Sequence, residues 1–297
     1  MPPFLKLIKL DNLLIIAFAQ LCIKYGLFEP FGVAITLSNF GIALLVIATI
    51  SIAAAGNIII AIYDNEDKNL LYKNINEKSA NRLFILLNAI GVLIGFYLAN
   101  IIGRPGFAAL FILVSGIFYM YASYLKEIVF VKNLVIGLLA ALSLIVVGVF
   151  DLLPAITEKN RESQTVIFSI ILDYSVFAFT IITLREIVKD CLKIDRDHNL
   201  GLRTVPIVLG KERTIKLIGI AALIPIASVV YYIYSYLFAN TQAVVFVLVL
   251  LVAPLIYFMI RSFTLESNKH IAILKLLLKI ILIVASLSLL FYQFILT

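Results

Sequence analysis

The sequence predicts an all-α fold: a polytopic transmembrane bundle of about nine helices, the number of its long apolar runs. Three observations carry that reading. Of the 297 residues, 63% are apolar and 14% charged, where soluble domains carry about 45–50% and about 25%. The mean hydropathy is +1.11, and so few charges cannot cover so much apolar surface in water. The apolar residues also fall in long continuous runs, close to the roughly 20 residues that cross about 30 Å of hydrocarbon. Finally, the basic residues collect in alternate loops. These features exclude a water-soluble enzyme, a disordered chain and a nucleic-acid-binding domain. They also exclude a β-barrel, which shows alternating segments of about ten residues.

The runs cover residues 12–28, 37–63, 83–102, 106–124, 134–150, 164–184, 215–236, 243–260 and 271–295. The first has a basic flank at Lys6 and Lys9, but no small-residue cleavage pattern follows, so it reads as a spanning helix and not a leader. Taking the N-terminus and the loops after helices 2, 4, 6 and 8 as one side places 17 Lys and Arg there and 3 on the other. The formal net charge of +7 is thus explained by cytoplasmic loops rather than by nucleic acid. The expected topology is an inner or plasma membrane protein with a cytoplasmic N-terminus and an external C-terminus. No linker divides the chain, so residues 1–297 read as a single domain. Cys22 in an apolar stretch and Cys191 in a charged loop make neither a disulfide framework nor a metal site.

Acid is concentrated in two cytoplasmic loops. One holds Asp64, Glu66 and Asp67; the other holds Glu186, Asp190, Asp195 and Asp197. If the second stretch continues helix 6, Glu186, Asp190 and Asp197 share a face. Hard cations such as Mg²⁺ take one or two carboxylates plus substrate phosphates. Two such clusters could hold Mg²⁺ against a diphosphate, with Arg and Lys balancing the charge. The plainer alternative is a pair of solvated helix ends laced by bridges such as Glu186–Lys189 or Asp190–Lys193.

Longer motifs carry a resemblance. They are Ala-Gly-Asn-Ile-Ile at 55–59 with Ile-Tyr-Asp at 62–64, and Tyr-Ala-Ser-Tyr-Leu-Lys at 121–126 with Asn133. Further on come Arg-Glu-Ile-Val-Lys-Asp at 185–190 with Asp197, and Gly-Leu-Arg-Thr-Val-Pro-Ile at 201–207. In these the chain resembles the UbiA-type intramembrane prenyltransferases over most of its length, nearest the branch that makes digeranylgeranylglyceryl phosphate-like lipids. The resemblance implies about nine helices, two aspartate-rich loops, and Mg²⁺-dependent transfer of an isoprenoid chain from a prenyl diphosphate to a lipid or aromatic acceptor. It implies Asp64, Asp190 and Asp197 as catalytic residues and Asp64, Asp67, Asp190 and Asp197 as metal ligands. Lys126, Arg185, Lys189, Lys193 and Asn57 are the implied substrate-binding residues.

The motifs depart from the family pattern. Aligned through Tyr63 and Asp64, the first reads Ile60, Ala61, Asp64 and Lys68, and Lys193 replaces the middle aspartate of the second. Lysine could neutralise diphosphate directly as a point charge. The alternative reading is a non-catalytic homologue that binds lipid diphosphates or scaffolds lipid synthesis.

Three further features stand apart from the motifs. Asp173 lies mid-run in helix 6, where an ionisable residue is a functional candidate by default; the plainer reading is a carboxyl bonded to a Tyr or Ser of a neighbouring helix. Lys24 is expected to snorkel. The Gly91 and Gly95 spacing predicts close helix packing.

Overall fold

The structure is a computed structural model that describes residues 3–64, 76–264 and 267–295. Among the described residues it is helical without strands, and nine helices are long and apolar enough to cross a membrane. They are α1 Leu10–Phe28, α2 Asn39–Tyr63, α3 Glu77–Ile101, α4 Pro105–Ser123, α5 Val131–Ala155, α6 Arg161–Cys191, α7 Lys211–Leu237, α8 Thr241–Phe263 and α9 Asn268–Ile295. Each predicted run lies on one of them. The helices outrun the apolar runs at polar ends, because backbone hydrogen bonding continues through capping residues. Ser38 Oγ accepts from the Gly41 N–H at the start of α2, and Asn240 Oδ1 accepts from the Ala243 N–H at the start of α8. Between α3 and α4 the chain reverses at Gly103, whose φ of +71° favours glycine.

The chain forms two compact units. The first comprises Met1–Lys126 and Ser143–Phe168. Its packing depends on small residues. A Cβ on Gly91 of α3 would strike Ile52 of α2, and one on Gly95 would strike Phe111 of α4. The glycine pair therefore serves close packing, as its spacing predicts. Ile8, Leu13, Ala54, Ile58, Ala61 and Ala80 form a core where the N-terminal segment meets α1, α2 and α3.

This unit corrects one expectation. Lys24 does not snorkel; it is 1% exposed and donates to Asp151 Oδ2 at 2.8 Å and to the Leu37 carbonyl at 2.6 Å. Asp151, fully buried, also accepts through Oδ1 from the backbone N–H groups of Thr36 and Leu37. The ion pair wins over snorkelling because a complete set of partners compensates the desolvation of both charges.

The second unit comprises Glu127–Leu142 and Ser169–Thr297. Leu255 and Phe258 of α8 and Ile271, Leu278 and Ile281 of α9 are wholly or almost wholly buried in it. Tyr174 of α6 and Ser288 of α9 share a hydrogen bond of 2.7 Å. Asp173 takes a hydrogen bond from Tyr236 of α7, in line with the plainer reading of that residue. With Tyr174, Phe177, Ser228 and Tyr232 it lines a small cavity.

Candidate active site

Within the second unit the first turns of α5 and the end of α6 come together, and Gly137 sets how closely. A Cβ there would press on the Thr183 hydroxyl and lie 2.8 Å from the Phe179 carbonyl oxygen. Asn133 sits one turn before Gly137, and Asp190 two turns after Thr183, so the same helix faces continue upward. Lys132 Nζ donates to Asp190 Oδ1 at 2.9 Å, and Asn133 Nδ2 donates to Asp190 Oδ2 at 2.9 Å. Asp190 is 6% exposed and Lys132 is 9% exposed, so both charges of this pair are largely desolvated.

Asp197 joins the cluster by a route the sequence did not suggest. A continuous helix carrying Glu186, Asp190 and Asp197 on one face is not what forms. α6 stops at Cys191, and Lys193 leaves helical geometry with φ −120° and ψ 17°. The short helix Ile194–Asn199 then starts afresh, its Asp197 N–H bonded to the Lys193 carbonyl at 2.8 Å. Asp197 is thereby buried, with Arg196 Nε 3.9 Å from its Oδ1. Burial pushes the Asp197 carboxyl above the usual carboxylate range, and the negative Asp190 adds to the push; Lys132, Arg196 and Lys193 oppose it. The same turn buries Cys191, which ends a helix and does not lie in a charged loop.

The other expected residues fall in different settings. Lys189 Nζ lies 2.5 Å from Glu186 Oε2, and Arg185 lies 3.9 Å from Glu186 Oε1. The Glu186–Lys189 bridge therefore forms, while Asp190 takes Lys132 in place of Lys193. In the first unit Asp64 caps the C-terminus of α2. Lys126 Nζ donates to the preceding carbonyl, that of Tyr63, at 2.7 Å, where an ammonium also suits the helix dipole. Asn57 Nδ2 donates to the Ile8 carbonyl at 2.9 Å and so ties α2 to the N-terminal segment. Asp67, with Glu66 and Lys68, lies outside the described residues.

Sequence reasoning missed Lys132, counting it only among the cytoplasmic charges. The available signal was its place beside Asn133 at the head of a spanning run, one turn from a helix-contact glycine.

The cluster can be tested as a metal site on its own atoms. Among the described residues no three His, Cys, Asp or Glu side chains gather. Two carboxylates do, and beside them Asn133 Oδ1 is buried without a hydrogen-bond partner. Two carboxylates and an amide oxygen are hard donors, and Mg²⁺ commonly uses one or two carboxylates plus substrate phosphates. These residues fit a Mg²⁺ ion that arrives with a diphosphate, and not a cage built from protein alone.

The model of the UbiA prenyltransferase family matches residues 13–283. The chain belongs to that family. This UbiA chain is accordingly an integral membrane protein and a transferase of prenyl groups. It is 25% identical over 227 residues to digeranylgeranylglyceryl phosphate synthase of Methanosphaera stadtmanae, a match covering 74% of this chain and 75% of the relative. A solved structure of digeranylgeranylglyceryl phosphate synthase superposes with a TM-score of 0.64 at 18% identity, covering 97% of this chain and 98% of the other. A UbiA homologue of Archaeoglobus fulgidus bound to GPP and Mg²⁺ gives a TM-score of 0.59 at 15% identity, covering 97% and 99%. The apo UbiA homologue of Aeropyrum pernix K1 gives 0.66 at 13%, covering 91% and 95%. At these identities the solved structures establish the fold.

Proposed function

We propose that the chain moves an isoprenoid unit from an allylic prenyl diphosphate to the free hydroxyl of a glycerol phosphate lipid. The observation that carries the diphosphate half is the buried Lys132–Asn133–Asp190–Asp197 cluster at one end of two spanning helices. Its oxygen donors and ammonium suit an anion bound with Mg²⁺. The acceptor class rests on the Methanosphaera relative, a digeranylgeranylglyceryl phosphate synthase; an aromatic acceptor is the competing outcome. The relatives lend no support to a non-catalytic protein.

In this reading Asp190 and Asp197 of the second acidic loop and the Asn133 amide oxygen at the head of α5 would hold Mg²⁺, as would Asp64 and Asp67 of the first loop. A Mg²⁺ ion held by these residues would supply charge neutralisation for the diphosphate. Asp64, Asp190 and Asp197 are the catalytic residues in that sense. Lys126, Arg185, Lys189, Lys193 and Asn57 bind substrate. The C1–O bond of the allylic diphosphate breaks, and its electron pair leaves with the oxygen. The lysine and arginine side chains stabilise the charge growing on that oxygen. A lone pair of the acceptor hydroxyl bonds to C1, and its proton passes to the released diphosphate. Residues 1–297 act as one prenyltransferase domain, with the N-terminus and both acidic loops in the cytoplasm.

The test uses the purified protein in lipid vesicles with labelled geranylgeranyl diphosphate, Mg²⁺ and either a glycerol phosphate lipid or an aromatic acid. Labelled lipid product that disappears in Asp190→Ala is the expected result. Product from the aromatic acid alone overturns the acceptor assignment, and no product from either overturns the function. Impermeant labelling of a cysteine placed near each terminus checks the topology.

A further inference from the structure

In the cluster described above, both carboxylate oxygens of Asp190 are already engaged. Lys132 Nζ holds Oδ1 at 2.9 Å and Asn133 Nδ2 holds Oδ2 at 2.9 Å. The Lys132 and Asp190 side chains are 11% and 9% exposed, so water screens the pair little. A Mg²⁺ ion must sit about 2.0–2.1 Å from a ligating oxygen. An ammonium on the same oxygen and a divalent cation beside it would repel at short range in a poorly screened setting.

We infer that Lys132 is a tethered cation that stands in the metal position on Asp190 and moves to the diphosphate when metal and diphosphate bind. This rests on the prenyl-diphosphate reading of the site. Three further features support the exchange. Lys132 is a point charge on a flexible stem, suited to moving between two anions. The Asn133 oxygen is buried without a partner, an acceptor that a hard cation or its bound water would satisfy. And Lys193 and Arg196 also act on Asp197, so positive charge besides Lys132 already bears on the carboxylates that a divalent metal would need, and an anion arriving with the metal offsets it. Lys132 is therefore a positioning residue that makes metal binding depend on the diphosphate. It is a substrate contact only once displaced.

The experiment is divalent-cation binding to the full-length protein in lipid nanodiscs, with Mn²⁺ detected by electron paramagnetic resonance and inorganic pyrophosphate as the anion. In the wild type, pyrophosphate should tighten Mn²⁺ binding by about tenfold or more, a coupling of about 1.4 kcal/mol. In Lys132→Gln, Mn²⁺ alone should bind about tenfold tighter than to wild type, pyrophosphate should bind more weakly, and the coupling should shrink. Lys132→Arg should keep the coupling. The gained affinity should vanish in Lys132→Gln/Asp190→Asn, which assigns it to Asp190 and not to the first acidic loop. Tight Mn²⁺ binding to the wild type without pyrophosphate overturns the inference, and needs no variant to fold. So does unchanged Mn²⁺ affinity in Lys132→Gln. If such a protein still transfers prenyl groups, only the role of Lys132 is lost. Failure of the wild type to bind Mn²⁺ and pyrophosphate even together, with no transfer, overturns this inference and the proposed function alike.

Discussion

Replacing Lys24 by Met should destabilise the first unit by about 3–5 kcal/mol, the cost of breaking a buried ion pair by removing one partner. The size follows from what would be left. Asp151 is fully buried and Lys24 is 1% exposed. Without the ammonium, the carboxylate keeps only the Thr36 and Leu37 N–H groups, at 3.0 and 2.7 Å. The Leu37 carbonyl also loses its 2.6 Å partner. Asp151→Asn should cost a similar amount, because Lys24 then stays buried beside an amide. The double variant keeps an oxygen facing the two N–H groups and buries no net charge. It should cost at least about 2 kcal/mol less than the two single changes added together. Equilibrium unfolding of each variant in lipid bicelles measures these terms. A Lys24→Met cost under about 1 kcal/mol, or single effects that simply add, would refute the claim that this pair is desolvated and coupled.

Other expectations concern the second unit and the helix contacts. Gly137→Val should force α5 away from α6 and break the Lys132–Asp190 geometry, abolishing prenyl transfer while far-ultraviolet circular dichroism stays helical. Asp190→Ala should remove transfer outright, and Asn133→Ala should weaken it less, since one amide donor to a charged oxygen is worth about 1.5–3 kcal/mol; radiolabelled product counts both. Chelation by EDTA should stop turnover and Mg²⁺ should restore it; turnover that persists in EDTA would mean that lysine alone carries the diphosphate. Gly91→Leu should destabilise the first unit by about 1–3 kcal/mol or more through overpacking against Ile52, read by thermal unfolding.

Much of the architecture was legible because a bilayer imposes a simple rule. Every backbone polar group must be satisfied within its own helix, so a long apolar run has one outcome. Among the described residues the nine runs became nine helices long and apolar enough to cross a membrane, and the Gly91 and Gly95 spacing became a close contact. The site was legible as residue types more than as geometry. Asp190 and Asp197 were expected on one helical face; they influence one another by a different route, because a break at Lys193 depends on packing and leaves no periodicity to read. Lys24 and Asp151 show the same limit. Each lies near the end of a spanning run. Nothing local says that the two meet.

The amino-acid sequence by itself settled that this chain lives in a membrane as helices, and motif by motif it pointed to the family. Those properties follow from local quantities: hydrophobicity per residue, run length and the order of charges. Only the tertiary structure decided which charges are paired. The energy of an ion pair depends on burial and on separations of a few ångströms between residues 58 or 127 positions apart, as for Lys132 with Asp190 and Lys24 with Asp151. Such distances are set by where helices touch, and glycines such as Gly137 settle that contact only when a partner helix lies against them.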